Sequence, residues 1–391
     1  MKPPSFDVAV IVRNEAKTLP KLVASLKGFQ DRGGQIYVLD TGSTDYTPQI
    51  ARSLGCQVTE VGNRFRRTIT EKEADEINAW FVVGDEDPVV NAGDSLFVFC
   101  DARNHAAWLG KNDMVAMPDA DEAYTVLDLD RVEKDISEGA DQLDYNFIFS
   151  HDAQGNPGLK FRHCKFYNRK KMEWRRIVHE NIYLKDGVVA PKRVLYGDEI
   201  ILLEHFQNSE TNRGAYLTGL AVDVWENKDD DRATHYLARE MMYRGRPKSA
   251  LKLFQRHVDM RRWPAERAQS FIFMGECWRQ LADFEKEEEM YFKAWQIEPN
   301  RRIAMIKLAE KAFRENDPMK ARGFVEAMMH IPHSGFYSDD ISHYTWWPHH
   351  IGAWACWHTG DMEAAKAHWK KAIAFSPNNP ILLDNAKFFS D

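Results

Sequence analysis

Asp119 and Asp121, in the stretch Met117-Pro118-Asp119-Ala120-Asp121-Glu122, have the spacing in this chain that points most directly to chemistry. They stand one residue apart at the end of an apolar run, Met114 to Met117. If that run is a strand, its side chains alternate and both carboxylates face one way. Paired carboxylates delivered into a crevice suit a divalent cation, because Mg²⁺ and Mn²⁺ take oxygen ligands and share them with a substrate diphosphate. Asp-x-Asp also arises as a plain acidic turn, so the elements before it decide.

Those elements alternate. Val8-Ala9-Val10-Ile11-Val12 is a continuous apolar run, as expected of a parallel strand buried on both faces. Arg13-Asn14-Glu15 follows, then Leu19, Leu22, Val23 and Leu26 at helical spacing. Gly33-Gly34 breaks the chain, and Ile36-Tyr37-Val38-Leu39 is a second strand ending at Asp40. Thr41-Gly42-Ser43-Thr44-Asp45 is a turn able to cap a helix over about Thr47–Leu54, after which Gln57-Val58-Thr59 resumes a strand. Strand–helix alternation implies parallel strands with right-handed crossovers, and such sheets bind ligands beyond the carboxyl ends of their strands. Asn14, Glu15, Asp40, Asp45, Asp119 and Asp121 all fall at such ends.

The set Val10-Ile11-Val12-Arg13-Asn14-Glu15, Val38-Leu39-Asp40-Thr41-Gly42-Ser43-Thr44-Asp45, Ala102-Arg103-Asn104 and Asp119-Ala120-Asp121-Glu122 resembles family 2 glycosyltransferases in order and spacing, over residues 1–211. The resemblance implies the GT-A fold, a Rossmann-like mixed sheet for nucleotide-diphospho-sugars. It also implies an inverting reaction, a nucleoside-diphosphate sugar donor (usually a UDP-sugar) and Mn²⁺ or Mg²⁺. Carried over by residue, Asp40 would accept from the nucleotide base, and Arg13 and Glu15 would lie around the nucleoside. Arg103 would face the diphosphate, where a guanidinium suits phosphate geometry. Asp119 and Asp121 would hold the metal and the ribose or phosphate nearest the sugar. A capped turn is the plain alternative for Asp40 and Asp45, and a helix start for Arg103-Asn104.

Inversion needs a base for the acceptor. Met172-Glu173-Trp174-Arg175-Arg176-Ile177-Val178-His179-Glu180 resembles the Val-His-Glu element of a subset of the family, many of whose members also carry helical repeats. Glu180 is the expected base and His179 the second choice; a capping or ion-paired Glu is the bland alternative. The family pattern often has Gly where Arg176 stands. His205, after Ile201-Leu202-Leu203-Glu204, would complete the metal shell, since imidazole is a competent Mn²⁺ ligand, although a lone His after a strand can be structural.

Residues 62–97 form an insert longer than the family needs. Ala79-Trp80-Phe81-Val82-Val83 predicts an extra strand, with Gly84-Asp85-Glu86-Asp87-Pro88 as the turn after it. The insert would be a lid, an acceptor contact or a tolerated surface hairpin.

From residue 212 to 391 helical periodicity takes over, with a period of roughly 34 residues, that of a tetratricopeptide repeat. Leu237-Ala238, Gly245, Ala250 and Phe254 open it. Phe271, Gly275, Trp278, Tyr291, Ala294 and Pro299 form the second unit, and Leu308-Ala309, Ala321 and Pro332 the third. Gly352-Ala353, Gly360, Ala365, Trp369, Ala372 and Pro377 form the fourth, with a closing helix at Pro380–Phe389. The His- and Trp-rich run Ser342–His350 has no ligand spacing and reads as an aromatic surface for a peptide or carbohydrate rather than a metal site.

The chain's 391 residues suffice for two domains, 1–211 and 212–391. A net charge of −7 argues against nonspecific nucleic-acid binding. Cys56, Cys100, Cys164, Cys277 and Cys356 are scattered and odd in number, as in a reducing cytosol. No signal-peptide core or membrane-length apolar run is present, so a cytoplasmic protein is expected. The composite expectation is a metal-dependent inverting glycosyltransferase with an all-α repeat domain that grips a peptide, protein or glycan acceptor or makes a homodimer. Its rivals are a catalytically silent nucleotide-sugar domain on a partner-binding scaffold, and a nucleotidyltransferase. The latter would carry a Gly-rich phosphate loop where Arg13-Asn14-Glu15 stands.

Overall fold

The computed structural model describes residues 3–151, 157, 159–206, 216–336 and 339–389. The chain packs into two compact units, Met1–Ala74 with Val90–Asp223 and Asp75–Val89 with Val224–Asp391. The boundary expected at 211/212 lies outside the described residues.

The first unit is α/β. Its strands are β1 (Phe6–Val12), β2 (Ile36–Asp40), β3 (Gln57–Glu60), β4 (Arg66–Thr68), β5 (Ser95–Phe97), β6 (Met114–Ala116) and β7 (Glu122–Leu127), then β8 (Gln142–Ile148), β9 (Lys160–Asn168), β10 (Met172–Arg175), β11 (Asn181–Leu184), β12 (Arg193–Leu195) and β13 (Ile201–His205). Nine of them form one mixed sheet in the order β3-β2-β1-β6-β9-β8-β13-β7, with β12 also on β8. β1 lies between β2 and β6, parallel to both, with Val12 opposite Asp40 and Val8 opposite Ala116. Val8, Val10, Ile36 and Val38 are fully buried, and each contributes about 1.5–3 kcal/mol over an exposed position. The helix Leu19–Ser25 covers one face through Leu19, Leu22 and Val23, and Thr47–Ser53 makes the second crossover. This is the GT-A type of mixed sheet, and it sets Asp40 at the end, and Glu15 and Asp119 beyond the ends, of three adjacent parallel strands.

The expected strand into Asp119 is shorter than the alternation argument requires. β6 stops at Ala116, and Asp119–Glu122 is a turn closed by the Glu122 N–H donating to Asp119 O at 3.1 Å. The two carboxylates therefore do not share a strand face. The insert also differs: Ala79–Phe81 ends an α-helix, Glu71–Phe81, instead of forming a strand. Thr70 and Glu73 build a capping box, with the Thr70 N–H donating to Glu73 Oε2 and the Glu73 N–H to Thr70 Oγ1. Ala74, Ile77 and Phe81 then bury one helical face, so the helical period outweighs the short apolar run.

The second unit is all α. Its helices pair as Asp231–Tyr243 with Pro247–Asp259, Pro264–Gln280 with Phe284–Ile297, Ile303–Arg314 with Pro318–Met328, and Trp346–His358 with Met362–Phe375. Three of the four turns within pairs share one device: a left-handed residue (Ala282, Asn316, Gly360) followed by an Asp whose carboxylate caps the next helix. Small residues meet large ones across each pair. A Cβ at Gly275 would lie 2.3 Å from the Tyr291 ring, and one at Gly352 would lie 2.7 Å from the His368 ring. The closing segment is two short helices, Pro380–Asp384 and Ala386–Phe389, which bury Leu382 and Phe389. Trp346 and Trp347 lie half-buried against each other, less open than an exposed aromatic surface would be.

The tail of the insert belongs to this unit. The Val83 N–H donates to Ser249 Oγ at 2.9 Å, and Glu86 accepts from the Lys248 and Ser249 N–H groups at the start of Pro247–Asp259. Trp80 takes the cations of Lys228 and Arg256 over its ring.

Candidate active site

A cavity of about 510 Å³ opens in the α/β unit, within the range of small-ligand sites. Arg13, Glu15, Arg103, Asp119, Asp121, His179, Glu180 and His205 all line it, with Thr41, Arg66, Phe97, Phe99 and Tyr216 among the rest. Of the residues expected from sequence at the ligand-binding strand ends, Asn14, Asp40 and Asp45 do not.

Asp40 is buried, and both of its oxygens accept from the Ser43 N–H, at 3.0 and 3.1 Å. Asp45 likewise accepts from the Thr47 N–H. Asn14, at φ 58°, accepts from the Thr44 N–H through Oδ1 and donates its own N–H to Ser43 Oγ, tying the loops after β1 and β2 together. Burial raises the Glu15 carboxyl above its ordinary pKa, with Asp121, Asp119 and Asp45 adding to the effect against a hydrogen bond from Thr18.

Arg103 is central to the charge arrangement. It sits in the interior of the helix Phe99–Ala107 rather than at its start. Ala102, Ala106 and Ala107 are buried with it, and their small side chains let that helix lie close to the sheet. Asn104 fixes the helix to β10, with Nδ2 donating to Trp174 O and Oδ1 accepting from the Trp174 N–H. The Arg103 guanidinium stacks over Trp174 at 4.7 Å. Its Nε donates to Glu180 Oε1 at 2.8 Å and its Nη2 to Asp119 Oδ1 at 2.7 Å, while Nη1 is buried with no acceptor.

The other Asp119 oxygen accepts from Lys165 Nζ at 2.6 Å, and Lys165 also meets Glu122. Lys165 reaches this point because β9 runs antiparallel to β6, one step beyond the Ala116–Phe166 pair. Burial alone would raise the Asp119 carboxyl, but the charges of Arg103 and Lys165 outweigh it and hold the group ionised. Sequence reading assigned no role to Lys165, which shares its strand with Lys160, Arg162 and His163 and is set apart from them only by its burial.

Asp121 turns the other way. Its Oδ2 lies 3.1 Å from His205 Nε2, and His205 Nδ1 lies 3.0 Å from Phe149 O. A carbonyl only accepts, so Nδ1 carries a proton; Nε2 donates to Asp121 when the ring is protonated and offers a lone pair beside the carboxylate when it is neutral. The hydrogen bond to Asp121 raises the His205 pKa. Asp119 does not join this pair. The one group of three ligating side chains close enough to share an ion, among the described residues, is Asp231, His257 and Glu266 in the helical unit.

His179 and Glu180 lie in the loop between β10 and β11, whose register closes at Arg175–Asn181. Arg176 and His179 have φ of 91° and 53°. Arg176 thus occupies a conformation that favours glycine, and the chain keeps a glycine-like backbone there without the glycine. Tyr216 OH meets His179 Nε2. Gly219, on the helix Tyr216–Glu226, leaves room for Val178, whose Cγ1 would lie 2.8 Å from an added Cβ.

The sequence profile of glycosyl transferase family 2 matches residues 7–67. A TPR repeat-containing protein of Synechococcus elongatus is 37% identical over 82 residues, a fifth of this chain and a fifth of that protein. PilF of Pseudomonas aeruginosa is similar in structure at a TM-score of 0.36 and 12% identity, over 44% of this chain and 72% of that one. TTC0263, a TPR protein of Thermus thermophilus, is similar at a TM-score of 0.34 and 17% identity, over 44% and 88%. No helix among the described residues is long and apolar enough to cross a membrane, and all five cysteines are free. Residues 7–67 of this chain thus match glycosyl transferase family 2 within a GT-A type sheet, and the second unit is an array of paired helices with a tetratricopeptide-like period.

Proposed function

We propose that the protein is a metal-dependent inverting glycosyltransferase that moves a sugar from a nucleoside-diphosphate donor, UDP-linked in the first instance, to a nucleophile on a peptide, protein or glycan. The observation that carries this reading is the Arg103 clamp. One buried guanidinium holds Glu180 and Asp119 on the wall of a cavity that also contains the Asp121–His205 pair.

Arg103 binds one oxygen of Glu180 and fixes its direction; Oε2 accepts no hydrogen bond from the described residues. In the proposed reaction Oε2 takes the proton of the acceptor hydroxyl. The acceptor oxygen bonds to the anomeric carbon on the face opposite the diphosphate, and the bond from that carbon to the phosphate oxygen breaks. His179 is the alternative base, oriented by Tyr216. The unpaired Arg103 Nη1 is a donor suited to a phosphate oxygen. Asp121 and His205 fit a divalent cation, because two acceptor atoms face each other across 3.1 Å. When bound, the cation would neutralise the leaving diphosphate. Asp119, already engaged by two cations, would act on the donor through Arg103.

The repeats favour a peptide or protein acceptor, with self-association as their other use, and the free thiols favour a reducing cytoplasm. The scaffold alternative draws on Asp119, whose carboxylate is fully occupied. Nucleoside-diphosphate release from a donor panel, with Mn²⁺, Mg²⁺ or EDTA, tests the reading. Slow release from one donor that requires metal and is lost in Asp121→Ala and Glu180→Gln is expected. Absence of donor binding by calorimetry under all conditions would overturn it in favour of the scaffold.

A further inference from the structure

Three guanidinium groups line the cavity, and Arg66 is placed unlike the expected Arg13 and Arg103. It comes from the insert, on β4, directly opposite Phe97 on β5. This two-stranded ribbon is separate from the main sheet. Phe97 and Phe99 pack edge to face, with ring centroids 4.7 Å apart, and Phe99 is 38% exposed.

Neighbouring Arg67 is paired with Glu73, and Arg103 with Glu180 and Asp119. Arg66 forms no ion pair with a described residue, although the same cavity holds four carboxylates, and its Nε is buried with no hydrogen-bond partner. A buried N–H without an acceptor bears its desolvation cost uncompensated, and a ligand oxygen would remove that cost. The guanidinium fork matches a carboxylate or phosphate, and the two phenyl rings offer an apolar face beside it.

We propose that Arg66, flanked by Phe97 and Phe99, forms a subsite for an anionic group of the substrate, a carboxylate or phosphate separate from the donor diphosphate. This rests on the transferase reading and narrows its substrate class. The nucleotide and its diphosphate lie, on that reading, at the ends of β1, β2 and β6 and against Arg103, which leaves the ribbon for another part of the substrate. That part is either an acidic donor sugar or an acidic acceptor.

Calorimetry on the full chain with Mn²⁺ separates these sources. The donor arm compares UDP, UDP-glucose and UDP-glucuronate. The acceptor arm compares p-nitrophenyl glucoside with p-nitrophenyl glucuronide, with UDP present. The expected result is at least tenfold tighter binding of the acidic member in one arm. Arg66→Gln removes that preference, Arg66→Lys keeps part of it, and UDP affinity stays within twofold in both variants. The proposal is overturned if the unmodified protein shows no acidic preference in either arm, if the preference survives Arg66→Gln, or if Arg66→Gln weakens UDP equally. Matching melting temperatures control for folding, and the lysine variant serves where the glutamine variant fails to fold. If UDP does not bind the unmodified protein, the transferase reading falls, and the glycoside pair measured without UDP decides the anion subsite alone.

Discussion

The two units of this chain solve opposite problems. The α/β unit buries charge: Arg103, Asp119 and Glu180 on the cavity wall and Lys165 and Glu122 behind it form one chain of ion pairs. The helical unit also buries an ion pair, Arg301 with Asp339, but its repeated helix contacts rest on shape: Gly275 under Tyr291, Gly352 under His368, and alanines 250, 294, 309, 321 and 365. Buried ion pairs add little net stability but are costly to break singly, whereas steric complementarity stabilises directly. The contrast teaches that the first unit gives up stability for preorganised charge, and the second keeps a regular frame.

The sharpest way to break this contrast is at Glu180. Glu180→Gln retains the shape and is expected to slow transfer by about 10²–10⁴-fold with donor binding nearly unchanged; equal loss of both would make Glu180 a positioning group. Arg103→Met comes next. It strands Glu180 and leaves Asp119 with Lys165 alone, and a loss of about 3–5 kcal/mol in urea unfolding is expected; a neutral result would mean the charges are solvated after all. Gly275→Leu, the matching test of shape, forces atoms into Tyr291 and should cost about 1–3 kcal/mol with catalysis by the α/β unit intact.

Acid should separate the units. Burial lowers the His257 and His349 pKa to about 4 and holds that of His235 well below its ordinary value. A histidine with a lowered folded-state pKa binds its proton more readily when unfolded, so its destabilisation begins as pH falls through about 6.5 and grows until the folded pKa is reached. Between pH 6.5 and 4.5 the helical unit is expected to lose on the order of 1–2 kcal/mol for each such residue. His163, in the α/β unit, is lowered to about 3 by burial and Lys165, and acts the same way. Hydrogen exchange resolved by peptide would show the helical unit weakening first; simultaneous loss would contradict the comparison. The smallest effect is at the left-handed Ala282, where Ala282→Gly should stabilise by about 1 kcal/mol.

Legibility followed the same division. The strand–helix alternation could be read because residue type and spacing are local facts, whereas Arg103 and the Val178-His179-Glu180 segment were singled out only through the family resemblance. The small–large pairs of the repeats were legible too, since period and partner repeat together. What escaped depends on long-range register. Lys165 meets Asp119 only because β9 pairs with β6, and Asp121 leaves Asp119 for His205 only because a turn cuts the strand short. The helix Glu71–Phe81 was missed because its last apolar residues look like a strand when read apart from the capping box before them.

One consequence of the insert concerns modularity. Residues 75–89 belong to the helical unit although they lie, in the chain, inside the α/β unit. No single cut in the polypeptide can divide the protein into its two units. A gene fragment ending at Asp223 would still encode Trp80 and Glu86 while omitting Lys228, Arg256 and Ser249, their partners. Recombination at that point would produce a sticky orphan segment rather than a free-standing domain. The two units are therefore constrained to be inherited together.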